Sequence, residues 1–173
     1  MKSAIKYIGS LLIVFVFLTC DKGIEPKEDT EPRGFSGTIT FIGEWPAGIK
    51  RTHIVLFKDP LNSTADFNIL NIKYVSLEIP NGSQSYNYNT TEPAVLPESG
   101  YLDTGEYSYL AVGQSETEDL SLNRSDWFVA GLYFSEGDST KPGKITVSSG
   151  VITENVNIVC DFDNPPPQPP GGN

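Results

Sequence analysis

YVSLEIPNGSQSYNYN, residues 74–89, reads as two strands around a tight turn, and its reading sets the fold class of the chain. Apolar and polar side chains alternate over residues 74–79, with Val75, Leu77 and Ile79 on the face expected to turn inward. Asn81-Gly82 follows, a strong hairpin signal because both central residues of such a turn must accept positive φ. Residues 83–89 then return as a more exposed strand, with Tyr86 and Tyr88 on one face and Ser85, Asn87 and Asn89 on the other.

The same period of two recurs on both sides of this segment. In GFSGTITFIG, 34–43, Phe35, Gly37, Ile39 and Phe41 share one face. HIVLF, 53–57, is apolar on both faces and suits a central strand. EYSYLAV, 106–112, puts Tyr107 and Tyr109 on one face, and WFVAGLYF, 127–134, starts with a Trp127 expected in the core. The link between them, 113–126, is long, polar and acidic. KITV at 144–147, a turn at Ser149-Gly150 and VITENVNIVCDF at 151–162 read as a final hairpin. A helical turn is expected only within LNSTADFNIL, 61–70. The sum is all-β: a single antiparallel β-sandwich of seven or eight strands over residues 34–162. Those 129 residues suffice for one domain with its own core. The tail, 163–173, is rich in Pro and Gly, has nothing apolar of size to bury, and is expected to be extended and disordered. Asn-X-Ser/Thr sequons at Asn62, Asn81, Asn89 and Asn123 read as turns.

Ahead of the domain stand two lysines, Lys2 and Lys6, then thirteen uncharged residues, 7–19. That stretch suits the apolar part of an export signal. As a helix it reaches only about 20 Å, short of the roughly 30 Å of a bilayer core. Phe17-Leu18-Thr19-Cys20 resembles a bacterial lipobox, departing from the usual pattern at Phe17 and Thr19. The resemblance implies cleavage before Cys20, a diacylglyceryl thioether on that residue, and a bacterial cell-envelope location, most simply the outer membrane. Two acyl chains are enough for stable attachment. Residues 20–33 follow as the lipidated Cys and a charged tether with no core-forming side chains.

Over most of 34–162 the order of motifs resembles the carboxypeptidase-regulatory-like or transthyretin-like sandwiches of bacterial lipoproteins. The residues that carry it are GFSGTITF, GEYSYLAV and PGKITVSSGVITENVNIVCDF. The resemblance implies a non-catalytic accessory module for binding or stability. Hydroxyisourate-hydrolysing enzymes of transthyretin-like fold use several histidines and a Tyr-Arg-Gly-Ser ending, which this chain lacks.

Composition narrows the chemistry further. Without residues 1–19, ten basic residues face 22 acidic ones, a net charge of −12 that disfavours nucleic acid as a partner. The single histidine, His53, shares a strand face with Val55 and Phe57 and reads as a packed or edge side chain rather than the base of a triad. No nucleophile-base motif appears, so no enzyme and no catalytic residue is expected. Cys160 shares parity with Ile152, Val156, Ile158 and Phe162, which predicts an unpaired buried thiol. No cofactor or metal is expected: Glu116, Glu118 and Asp119 crowd one loop, and Asp161 and Asp163 another, without the spacing of a calcium loop. The remaining leads are aromatic. Trp45, expected to be exposed in its turn, and the pairs Tyr86/Tyr88 and Tyr107/Tyr109 are the candidates for contact with a glycan or an envelope protein. The expected partners are therefore the membrane, through lipid on Cys20, and such a ligand.

Overall fold

The computed structural model describes residues 31–97 and 101–172. The signal segment, Cys20 and the tether up to Thr30 lie outside the described residues. In chain order the strands are β1 (Gly34–Ile42), β2 (Arg51–Phe57), β3 (Ile72–Ser76), β4 (Ser85–Asn89), β5 (Ala94–Leu96), β6 (Gly105–Tyr107) and β7 (Tyr109–Ser115). They continue with β8 (Phe128–Leu132), β9 (Phe134–Ser135), β10 (Asp138–Pro142), β11 (Ile145–Val147), β12 (Ile152–Thr153) and β13 (Ile158–Asp161). Short 3-10 turns at Thr64–Asp66 and Arg124–Asp126 are the helical elements among the described residues. The chain is all-β.

Two sheets enclose the main core. The larger has the order β5-β3-β2-β7-β8 and is antiparallel throughout. β2, apolar on both faces, lies at its centre, as its sequence demands. The smaller is built on β1, with β4 antiparallel along it and β12 and β13 parallel to it. Even-numbered residues Ile54, Leu56, Leu110 and Val112 of the larger sheet pack with Phe35, Ile39 and Phe41 of β1 and with Ile158 and Cys160 of β13. β1 thus faces inward with the parity expected of it. Cys160 is fully buried and unpaired, also as expected, and burial pushes its thiol up to about 12. The two sheets approach closely at Gly131, where a Cβ would collide with the Cys160 sulfur.

The turn at residues 80–83 is present, with Ser83 N–H donating to Pro80 O at 3.3 Å and Gly82 at φ 82°. It does not close a hairpin. β3 already has β2 on one edge and β5 on the other, so residues 85–89 cross to the open edge of β1. There Tyr88 meets Phe35 edge-on at 6.0 Å. The inward set of residues 74–79 also differs from expectation. Tyr74 and Ser76 point into the core, Leu77 is half exposed, and Ile79 is buried beyond the end of the strand. Ser76 belongs inside because its hydroxyl accepts the Ile54 N–H at 2.9 Å.

Residues 106–112 divide at Ser108 into β6 and β7, so Tyr107 and Tyr109 enter different core clusters rather than one face. The expected final hairpin is absent as well. β11 pairs with β6, while β12 and β13 run parallel to β1. Parallel neighbours cannot share a tight turn. The tail is held rather than loose: Gln168 clamps Val129, accepting its N–H at 2.8 Å and donating to its carbonyl at 2.9 Å. β8 is an edge strand, and this side chain supplies the bonds that a further strand would make.

Candidate functional site

Outward-facing residues of the larger sheet are apolar too. Val55 and Phe57 of β2, Val75 of β3, Tyr109 and Ala111 of β7 and Val129 of β8 form a second cluster on the face away from β1. A sheet with two apolar faces needs a second cover. Here the cover is irregular: loop 61–70, loop 120–127 and the tail, with Val95 and Leu96 of the sheet's own edge strand β5 also on the lining. They leave a cavity of about 290 Å³. That lies at the small end of ligand pockets, roughly 300–1,000 Å³.

The floor is the sheet, and the mouth is apolar. Ile69, Val95, Leu120 and Leu122 surround it and are 40–59 % exposed, four of the nine large hydrophobics exposed among the described residues. Convergence of four such side chains from three segments departs from the scattered exposure normal on a monomer. Trp127 lines the cavity and is fixed by its indole N–H, which donates to Ser121 O at 2.7 Å.

Besides Ser121, whose hydroxyl donates to Asp126, two polar groups interrupt this lining. Arg124, in the second 3-10 turn, is only 7 % exposed. Its guanidinium donates to Trp127 O and, at 3.0 Å, to Pro169 O in the tail, and it lies 5.9 Å from the Phe67 ring centre. No carboxylate pairs with it among the described residues, and its buried Nε–H has no acceptor. Burial pulls the guanidinium below its ordinary range, an effect that nearby Tyr109 opposes. An arginine nevertheless stays charged. Tyr109 is the second group. Burial pushes its phenol up to about 12 against the pull of the Arg124 charge, so it is a neutral donor at physiological pH.

The aromatic candidates disperse. Tyr109 alone among them lines this pocket. Tyr88 is buried and donates to Val156 O at 2.6 Å; Tyr107 is buried and donates to Asp103 O at 2.7 Å. Neither face is open, because each ring was needed for the core. Tyr86 is half-buried at the edge of that core. Trp45 is half-buried rather than exposed, 4.7 Å from Phe41 and 5.3 Å from Phe162, with its N–H donating to Ser83 O.

A second, more polar hollow of about 480 Å³ lies beside that aromatic group. Gln114, Glu116, Asp126, Trp127 and Phe162 line it, and the buried Oε1 of Gln114 has no donor. Among the described residues no three His, Cys, Asp or Glu side chains converge as a metal site. His53 is buried against Trp127, its Nδ1 2.9 Å from Ser76 O, which assigns the proton to Nδ1. It is a packed side chain, as expected.

Sequence reasoning missed Arg124, Leu120, Leu122 and the tail contacts. The usable signal was Leu-x-Leu at 120–122, an apolar pair inside an acidic loop. Comparison with family models, with curated proteins and with solved structures finds no match to this chain.

Proposed function

We propose that this chain is a lipid-anchored, non-catalytic β-sandwich module of the bacterial cell envelope, and that the pocket on its outer sheet face is its binding site. One observation carries the reading: a cavity of 290 Å³ whose floor is a rigid antiparallel sheet and whose mouth collects exposed aliphatic side chains. Diacylglycerol on Cys20 would hold the module at a membrane, and the charged tether would give it reach. Two measurements test the two halves of this reading. Leu120→Asp with Leu122→Asp changes exposed side chains only, and should weaken binding of an apolar dye at least tenfold with the unfolding midpoint kept. Unchanged dye affinity would place binding elsewhere. Cys20→Ser should leave a full-length precursor outside the detergent phase; normal maturation would remove the anchor.

Glycan capture is the second reading, and the polar hollow favours it over the tyrosine pairs. Glu116 and Asp126 on its lining suit sugar hydroxyls, and Trp45 stands behind Phe162. Loss of glycan retention on Phe162→Ala, with the apolar dye still bound, would favour this reading over the first.

A further inference from the structure

We infer that the outer-face pocket takes a single-chain aliphatic carboxylate of about eight to ten carbons, its carboxylate held by Arg124 and its chain lying along the sheet. The inference rests on reading that pocket as the binding site.

Three observations select the ligand. First, size: at roughly 30 Å³ per water-sized group, 290 Å³ accepts about nine or ten such groups. That admits one alkyl chain and is too small for a two-chain lipid. Second, lining: the floor is Val, Phe, Tyr ring and Ala, with no polar group to satisfy along its length. Third, charge: Arg124 is a buried cation whose Nε–H meets no acceptor among the described residues. A buried charge is retained at a cost unless something opposite meets it. A neutral alkane leaves that group orphaned. A carboxylate beside Arg124 balances that charge; the Nε–H itself is covered by protein, and the available donor on the same lining is the Tyr109 hydroxyl, which makes no hydrogen bond among the described residues.

The position of the tail adds to this. Pro169 lines the same cavity and takes one Arg124 N–H, so the guanidinium is oriented before a ligand arrives.

The full chain is titrated with decanoate and with decan-1-ol, following displacement of 1-aminoanthracene. Decanoate should bind at least about tenfold tighter, the low end for a charge-assisted hydrogen bond. Arg124→Met keeps the apolar stem and should bring decanoate down to the affinity of the alcohol. Equal binding of acid and alcohol by the unaltered chain would overturn the inference and leave the pocket reading intact. Binding of neither would overturn both. Because Arg124 also holds the tail, a second measurement does not depend on the variant: carboxyl-labelled decanoate, bound to the unaltered chain, should titrate below the free acid. Burial without the guanidinium raises that value instead, and such a rise would refute the assignment.

Discussion

Gln168 offers the sharpest test of how the site is built, because its amide does the work of a neighbouring strand. Its oxygen accepts the Val129 N–H at 2.8 Å, and its nitrogen donates to the Val129 carbonyl at 2.9 Å. Gln168→Glu keeps the shape and the accepting oxygen but removes the donor. At pH 7 a carboxylate then faces the Val129 carbonyl, and also that of Pro166, which the amide nitrogen now meets at 3.1 Å. Losing these two bonds and leaving the Val129 acceptor covered costs about 1–3 kcal/mol. Protonation restores a donor. The introduced carboxyl is therefore protonated more readily in the folded chain than in the unfolded one, where its value is about 4.3. A raised folded value means the lost stability is present below about pH 4.3 and disappears as pH rises through the folded value. Urea unfolding, read from the emission of buried Trp127, should show the variant weaker than its parent by about 1–3 kcal/mol at pH 7. At pH 4 the difference should shrink below about 0.5 kcal/mol, the scale of an ordinary surface change. Comparison at each pH cancels the titration of every other group. A variant equal to its parent at pH 7, or a deficit that persists unchanged at pH 4, would refute the clamp.

Four other outcomes follow from the core. Cys160, with its thiol raised to about 12, should react with a thiol reagent at pH 8 about a thousandfold more slowly than in denaturant, where its value is near 8.5; rapid native labelling would put it on the surface. Cys160→Ala should cost about 1 kcal/mol without altering anchoring. Gly131→Ala should cost about 1–3 kcal/mol, and Cys160→Ala in the same chain should recover part of it; strict additivity would mean the two do not touch. His53, lowered chiefly by burial, binds its proton better when the chain is unfolded. Stability should fall as pH drops below about 6.5, by at most about 1.4 kcal/mol per pH unit, and His53→Phe should flatten that slope. An unchanged slope in the variant would assign it to other groups.

Period-two alternation made the all-β class legible, and it placed individual side chains where one face was unambiguous. β1 and β13 are such cases: Phe35, Ile39, Ile158 and Cys160 point inward as their parity requires. Alternation failed where both faces are apolar. Parity turned Val75 and Leu77 toward the main core, but Tyr74 and Ser76 went inside instead, Ser76 with its hydroxyl accepting the Ile54 N–H. Pairing partners were less legible still. Asn81-Gly82 announced a turn and a turn formed, but local sequence carries no record of which edges remain open. Only the assembled sheet shows that β3 is flanked on both sides. The sequons illustrate the modest success of turn chemistry: Asn62 precedes the first 3-10 turn, Asn81 sits in the reversal, Asn89 caps Thr91 through its side chain, and Asn123 opens the second 3-10 turn.

The candidate site was illegible for a related reason. Its cover comes from segments whose composition reads as solvent-facing, an acidic loop and a proline-rich end. Yet a sheet with an apolar outer face leaves those segments no neutral choice, since they either bring apolar groups such as Pro169 over it or leave the face wet. A purely structural cover would close the gap with apolar atoms, because a well-packed hydrophobe is often at least as stabilising as a buried charge. This chain instead keeps a cavity and sets in its wall a guanidinium with an unmet N–H. A covered, unsatisfied donor costs about 1–3 kcal/mol, and a native fold carries few of them. The Arg124 bonds to Trp127 and Pro169 hold the tail, but stability alone gives no reason to keep a cavity beside them. A ligand that fills the cavity and balances the Arg124 charge does, and Arg124 is therefore the residue on which the carboxylate inference turns.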